Sequence, residues 1–412
     1  MNAHSASIQR TYLLLLLTST LAASFIWGVN TLFLLDAGLN NLQAFAANAF
    51  FTVGQVLFEV PTGVVADIWG RRTSYVLGVL TLLISTLLYL YLWQVRGAFW
   101  LWAVVSTLLG LGFTFFSGAT EAWLVDALHA TGYRGNLESV FAKGQVIGGI
   151  AMLSGSVAGG YIAQATNLGV PYIARVSMLG VALIVALLFM RDVGFTPVKS
   201  ASVGRAISKT LHESYLYGLK NKPVRWLMLA APFTGGVSIY VFYAMQPHLL
   251  KLYGNPHAYG VAGLAAAIVA SAQIVGGMVA PVVRRVFKLR TSLLAAGLII
   301  GSVALVVIGF TTNFWIAIIM LVVWALVFAA SMPIRQAYIN ALIPSKQRAT
   351  VLSFDSLMSS SGGVVIQPAL GRMADIYSYG TTYMAAAAVQ ILALPFILAT
   401  RRMQALPDKI EK

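Results

Sequence analysis

The stretch Gly63-Val64-Val65-Ala66-Asp67-Ile68-Trp69-Gly70-Arg71-Arg72 gathers two glycines, an aspartate and two arginines between two long apolar runs. A chain that leaves an apolar slab and re-enters it at once needs a sharp, charged turn of this kind. Glycine permits the bend and the close approach. The arginine pair stays in water at the membrane face, and Asp67 either pairs with it or sits against a positive helix terminus. The flanking runs therefore read as membrane spans.

Composition agrees. The 412 residues are 59% hydrophobic and 9% charged, with a mean hydropathy of +0.82, whereas about a quarter of a soluble domain is charged. At ~20 apolar residues per span, the length holds about a dozen spans. The net charge of +15 would suggest nucleic acid in a soluble protein. Here it reads as Lys and Arg gathered on the cytoplasmic side of the membrane, and no nucleic-acid partner is expected. The absence of cysteine excludes disulfides, thiolate metal sites and cysteine nucleophiles. His4, His129, His212, His248 and His257 are scattered singly without metal-ligand spacing, so neither a metal nor a cofactor is expected. Arg10, the Leu13–Leu17 run and Ala22, Ala23 and Ser24 resemble a signal peptide. The apolar run continues through Phe25, Ile26, Trp27 and Leu32–Leu35, so it reads as an uncleaved first span.

Twelve apolar runs follow one another, at about 12–35, 41–66, 74–94, 98–127, 137–164, 170–190, 225–250, 258–283, 291–312, 314–342, 347–375 and 379–400. The expected fold is an all-α membrane protein with twelve transmembrane helices in two pseudo-symmetric six-helix bundles, 1–190 and 225–412. Between them, 191–224 is the long polar connection. Ile207, Leu211, Tyr215 and Leu219 recur every four residues in it, which predicts a short amphipathic helix on the membrane surface. With both termini cytoplasmic, only Arg96, Lys251 and Arg372 of the 27 basic residues fall on the outer side, while Arg175 and Arg335 fall within helices. An odd number of spans would destroy that asymmetry.

The halves also repeat. One offset carries Gly63 onto Gly277, Arg71 onto Arg285, Glu121 onto Arg335, Asp126 onto Asn340 and Arg134 onto Arg348. A parallel six-plus-six duplication with a cytoplasmic linker is a transporter architecture.

The run Gly63-x3-Asp67-x2-Gly70-Arg71-Arg72 resembles the signature loop between the second and third helices of the major facilitator superfamily, and Gly277 to Arg285 resembles its degenerate repeat. Ile68 departs from the pattern, which often has a basic residue after the aspartate. The resemblance implies that Gly63, Asp67, Gly70, Arg71, Arg72 and Asp126 form a conformational latch, against the plainer reading of a solvated turn. Gly155-Ser156-Val157-Ala158-Gly159-Gly160 resembles the fifth-helix motif of drug/proton antiporters without its proline, and Gln367-Pro368-Ala369-Leu370-Gly371 lies in the eleventh span. Gly155, Gly159, Gly160, Pro368 and Gly371 read equally as helix-packing positions. The arginine that such antiporters carry early in the fourth helix has no counterpart in Val104 to Leu111.

Ionisable residues within spans are costly and mark functional candidates. Glu59, Glu121, Lys143, Arg335 and Asp355 lie about 10 Å inside the cytoplasmic ends of their helices, at ~1.5 Å per residue. The resemblance implies that spans 1, 4, 7 and 10 line a central cavity, which sets Glu121 and Arg335 across it as protonatable carboxylate and counter-charge. Glu59, Lys143 and Asp355 read as a cytoplasmic gate where the halves meet. Trp27, Asn30, Tyr240, Tyr243, Gln246 and Tyr338 are the expected cavity lining, by stacking and uncharged hydrogen bonding. The same aromatics suit packing or lipid contact equally well.

The expectation is a monomeric secondary active transporter of the inner or plasma membrane, exporting small hydrophobic compounds against proton entry. An importer of a nutrient or metabolite is the alternative. A membrane enzyme would need a nucleophile with its base, paired carboxylates in a polar pocket or a metal site, and none is present.

Overall fold

The computed structural model describes residues 3–116, 118–196, 214–344 and 348–410. Apart from one isolated antiparallel bridge, Leu289 with Lys409, the described residues form helices and their connections. The first half comprises α1 (Ala3–Trp27), α2 (Asn30–Asp36), α3 (Asn41–Trp69), α4 (Arg71–Val95), α5 (Phe99–Thr114), α6 (Ala119–Ala130), α7 (Leu137–Ala165) and α8 (Val170–Phe189). The second comprises α9 (Lys222–Tyr253), α10 (Tyr259–Arg284), α11 (Arg290–Phe310), α12 (Phe314–Leu342), α13 (Arg348–Ile376), α14 (Tyr379–Ile391) and α15 (Leu394–Arg402). A short π-helix, Ser214–Leu219, precedes α9. The amphipathic helix expected around Ile207 and Leu211 lies outside the described residues.

Pairing α1 with α2, α5 with α6 and α14 with α15 recovers twelve spans as two six-helix bundles. Eleven are long and apolar enough to cross a bilayer. The exception is α13, at 29 residues long enough but loaded with Ser353, Ser356, Ser359, Ser360, Ser361, Asp355 and Gln367. Asp355 and Gln367 are buried, whereas Ser353, Ser356 and Ser361 are exposed.

Three expectations change. Residues 98–127 hold two helices among the described residues, one ending at Thr114 and one starting at Ala119 behind Gly118 at φ +68°. The second span runs on to Trp69, so Gly63 lies inside a helix with nothing near the position of a Cβ. The turn at the opening stretch is therefore one residue, Gly70 at φ +102°, where a Cβ would overlap the Asp192 carboxylate. Asp67 at the end of α3 and Arg71 at the start of α4 pair at 2.7 Å across this one-residue turn.

The chain divides into two compact units. One holds Met1–Leu39, Phe50–Ala206 and Ala258–Ala267; the other holds Asn40–Ala49, Ile207–His257 and Ile268–Lys412. Each unit thus includes the first turns of a helix, α3 or α10, whose remainder lies in the other.

Inside each unit, glycine lets helices approach backbone to backbone. In the first, a Cβ on Gly159 would run into the Phe25 carbonyl of α1, and one on Gly155 would come 2.6 Å from Ser24 Cβ. Gly160 and Gly28 both face Gly263 in the same way. In the second, a Cβ on Gly362 would strike the Pro232 carbonyl, and one on Gly236 would come 2.5 Å from the Gly362 carbonyl carbon. Gly371 faces Asn41 and Phe45. Without an aqueous hydrophobic effect between helices, such close packing supplies much of the association.

Gly159→Val is therefore expected to destabilise the first unit by about 1–3 kcal/mol through overpacking. Gly180→Ala, where a Cβ would meet nothing within 4 Å, should be neutral or stabilise by up to ~1 kcal/mol. Thermal unfolding of the detergent-solubilised protein measures both, and equal effects would contradict the packing.

Candidate functional site

Two breaks place candidate residues. The first span is interrupted at Gly28 and Val29, leaving Trp27 as the last residue of α1 and Asn30 as the first of α2. The fourth is interrupted before Gly118, leaving Glu121 in the first turn of α6. Non-helical backbone within a membrane is tolerated only where protein or water satisfies its polar groups, and discontinuous spans are where transporters place their sites. Glu121 is exposed, Asp126 on the same helix is half-buried, and Asn30 Oδ1 accepts a hydrogen bond from the Tyr172 hydroxyl at 2.9 Å.

In the second unit, Arg335 on α12 and Asp355 on α13 form a two-pronged ion pair, Nη1 to Oδ2 at 2.5 Å and Nη2 to Oδ1 at 2.6 Å. Arg335 Nη2 also donates to the Leu227 carbonyl on α9 at 3.1 Å. Asp355 is 6% exposed. Arg335, expected opposite Glu121, and Asp355, expected as a gate residue with Glu59 and Lys143, thus pair with each other within the second unit, because a guanidinium fork and a carboxylate on neighbouring helices meet in matching geometry. Glu59 is half-buried on α3, and Lys143 is exposed on α7.

Beside this pair the second unit holds a pocket of about 70 Å³, open on one side. Arg335, Trp324, Phe328, Ser331, Thr234 and Gln390 line it, together with aliphatic groups and Gly297 and Gly301. Trp324 and Phe328 stack at 5.5 Å. Gln390 is held by Trp324 Nε1 at 3.3 Å and donates to Ser302 at 3.2 Å. A Cβ on Gly301 would come 3.0 Å from the Gln390 amide nitrogen, so glycine there leaves space for the Gln390 side chain. The wall is aromatic and weakly polar, with one neutralised ion pair at its edge.

The other expected lining residues lie elsewhere. Tyr240 is fully buried, donating to Thr382 Oγ1 at 2.6 Å and resting against Phe45 at 4.9 Å. Tyr338 is buried in a core cluster with Val224, Leu227 and Leu294, and Gln246 is also buried. Trp27 and Tyr243 are half-buried. Pro368 lies inside α13.

Of the residues expected to form a latch, Asp67, Arg71 and Arg72 have described partners in the first unit. The Arg72 backbone N–H donates to Asp192 Oδ1 at 2.9 Å, and its side chain donates to the Leu187 carbonyl at 2.7 Å. The second unit repeats this with different residues: the Thr291 N–H donates to Asp408 Oδ1 at 2.9 Å and its hydroxyl to Oδ2 at 2.8 Å. In each half an aspartate just beyond the last span closes the N-terminus of the third. A second repeated contact joins Arg175 to Thr86 at 3.1 Å in the first unit, as Gln390 joins Ser302 in the second. Asp192, Asp408 and Gln390 are not among the residues the sequence singles out, although an offset two residues longer than the one that carries Glu121 onto Arg335 superposes Asp192 on Asp408 and Thr86 on Ser302.

The profile of the Major Facilitator Superfamily matches residues 12–366. The chain belongs to the Major Facilitator Superfamily. No curated protein matches it in sequence, whereas solved structures do. The nucleoside transporter NupG superposes with a TM-score of 0.77 at 11% identity, over 97% of this chain and 100% of that one. A bacterial homolog of the human lysosomal transporter Spinster, inward-facing and unoccupied, gives 0.69 at 16%, over 100% and 99%. A POT family transporter in complex with 5-aminolevulinic acid gives 0.70 at 12%, over 96% of each. At such identities the likeness is one of fold. The superfamily makes the chain a multi-pass membrane transporter and not an enzyme.

Asp355→Ala is expected to strand the Arg335 charge and cost about 3–5 kcal/mol of stability, most of it recovered in Arg335→Met/Asp355→Leu, which removes both charges. Thermal unfolding of the single and double variants checks this; a double variant no more stable than the single would contradict it.

Proposed function

We propose that the protein is a proton-coupled secondary transporter that exports small, largely hydrophobic compounds by alternating access. The moving parts are the halves 1–190 and 225–412 joined by the linker 191–224, in a monomer of the inner or plasma membrane with both termini cytoplasmic. The observation that carries the reading is the Arg335–Asp355 pair at the edge of an aromatic, weakly polar pocket. Protonating the buried Asp355 removes the counter-charge of the half-buried Arg335 guanidinium, and in a low-dielectric site that changes the balance between states by several kcal/mol. Glu121, at the start of the helix that resumes after the break in the fourth span, is the second protonatable carboxylate and supplies the matching group in the other half. Glu59 and Lys143 act as a gate, and Gly70 to Arg72 with Asp67 and Asp126 as the latch between states.

The pocket supports the substrate class. Trp324 and Phe328 offer a flat stacking wall, while Thr234, Ser331 and Gln390 offer uncharged hydrogen bonds. No unneutralised cation lines the pocket to take a polyanion. Trp27, Asn30 and Tyr243 are the half-buried groups available to the same solute in other conformations.

The test uses purified protein in proteoliposomes with an imposed pH gradient and a hydrophobic fluorescent dye as substrate. Gradient-driven dye movement is expected in the parent and is expected to be lost in Asp355→Asn and reduced at least about tenfold in Glu121→Gln, as for removal of a positioned proton carrier. Dye exchange without a gradient should survive in Asp355→Asn. Undiminished gradient-driven transport in both variants would overturn the coupling. Accumulation of nucleosides or peptides with inward protons, and none of dye, would establish the importer instead.

A further inference from the structure

The second unit has a corner that the transport reading leaves unused. The loop between α10 and α11 carries Arg284, Arg285, Lys288 and Arg290, and the end of α15 with the following tail carries Arg401, Arg402 and Lys409. These segments are distant in sequence but fastened together. Leu289 bridges to Lys409, the Ile410 N–H donates to the Lys288 carbonyl at 3.0 Å, and Asp408 closes on Thr291. The tail is thereby a fixed platform alongside the loop.

Among the described residues no carboxylate pairs with these cations. The acidic side chains of this unit among the described residues are Asp355, Asp375 and Asp408. Asp355 is committed to Arg335, Asp375 to the Asn41 and Leu42 N–H groups at 2.8 and 2.9 Å, and Asp408, 2% exposed, to Thr291. Arg285, Lys288, Arg401, Arg402 and Lys409 are exposed. The equivalent corner of the first unit differs: there Asp67 pairs with Arg71 at 2.7 Å. The offset that carries Arg71 onto Arg285 carries Asp67 onto Pro281, so the cation has a counterpart there and the carboxylate does not. Among the cations stand large apolar side chains that a soluble surface would not show: Leu406 is 82% exposed and Val286 79%.

We propose that this corner is a binding surface for anionic phospholipid of the surrounding bilayer. The exposed guanidinium and ammonium groups take the headgroup phosphates, while Leu406 and Val286 enter the boundary between headgroups and acyl chains. Retention of cations at the inner face explains their number. It does not explain their assembly from two distant segments into one platform beside exposed leucine and valine, which is the composition of an interfacial anchor. Juxtamembrane basic clusters of this size attract anionic headgroups in proportion to their charge, with a range limited by the Debye length.

The experiment takes the full chain, purified in neutral detergent, and follows its thermal unfolding and its retained lipid by native mass spectrometry. Phosphatidylglycerol is titrated against phosphatidylcholine and against inorganic phosphate. Phosphatidylglycerol is expected to raise Tm and be retained, phosphatidylcholine and phosphate to do neither, and the rise to shrink in high salt. The variant R285Q/K288Q/R401Q/R402Q/K409Q should need about tenfold or more phosphatidylglycerol for half the rise, and Leu406→Asp should also weaken retention. Arg10→Gln/Arg134→Gln, which removes exposed charges from the first unit, should respond as the parent does. Equal responses to phosphatidylglycerol and phosphatidylcholine in the parent overturn the proposal, whether or not the variants fold. So does an equal response to inorganic phosphate, which would mark a soluble-anion site, or an unchanged titration in the five-site variant.

Discussion

Carboxylates that arrive from distant sequence to close helix N-termini hold this structure at its loops. The first turn of any helix has backbone N–H groups without internal partners, and at a membrane boundary water meets them only in part. Asp192 supplies an acceptor to Arg72, Asp408 to Thr291 and Asp375 to Asn41 and Leu42. Each also places negative charge against a helix dipole. The cap and the tertiary tie are the same contact, so the loops that join spans are fixed to the spans that end beside them. Gly70 belongs to this scheme, since a side chain there would collide with Asp192.

The glycine-lined helix crossings and the buried ion pair rest on that frame. The α1–α7 approach in the first unit and the α9–α13 approach in the second bring backbone within contact distance. The spacing leaves Arg335, Asp355 and the Leu227 carbonyl as one polar knot between α9, α12 and α13. Three helices that share a buried charge cannot drift independently. The adjacent pocket has one edge fixed by the knot and another by Gln390, which Trp324 and Ser302 hold in place.

Much of the fold was legible because its signal is long and redundant. Twenty apolar residues bounded by charge state a span whatever their order, and the +15 charge, sorted by loop, states an arrangement. Single-residue geometry was less so. Gly63 and Gly70 look alike on the page, yet only the second needs a positive φ. The break before Gly118 has no proline to announce it. Partner choice was least legible: that Arg335 meets Asp355 depends on which faces of two helices turn together, and a shift of one residue would send either side chain elsewhere. The repeat relates Asp408 to Asp192, but at an offset two residues longer than the one that carries Glu121 onto Arg335, so one rigid shift cannot align both pairs.

The polarity of α13 bears on how the protein is made. A helix with Asp355, Gln367, Arg372, Asp375 and a run of serines partitions poorly from the translocon when presented alone, since each central charge costs about 3 kcal/mol on insertion scales. Its glycine-lined contact with α9 and the waiting Arg335 offer compensation only once those elements are already in the bilayer. Synthesis from the N-terminus delivers both before Arg348 emerges. The order of the genes' message is thus also an order of assembly, with the eleventh span admitted to the membrane by the seventh and tenth.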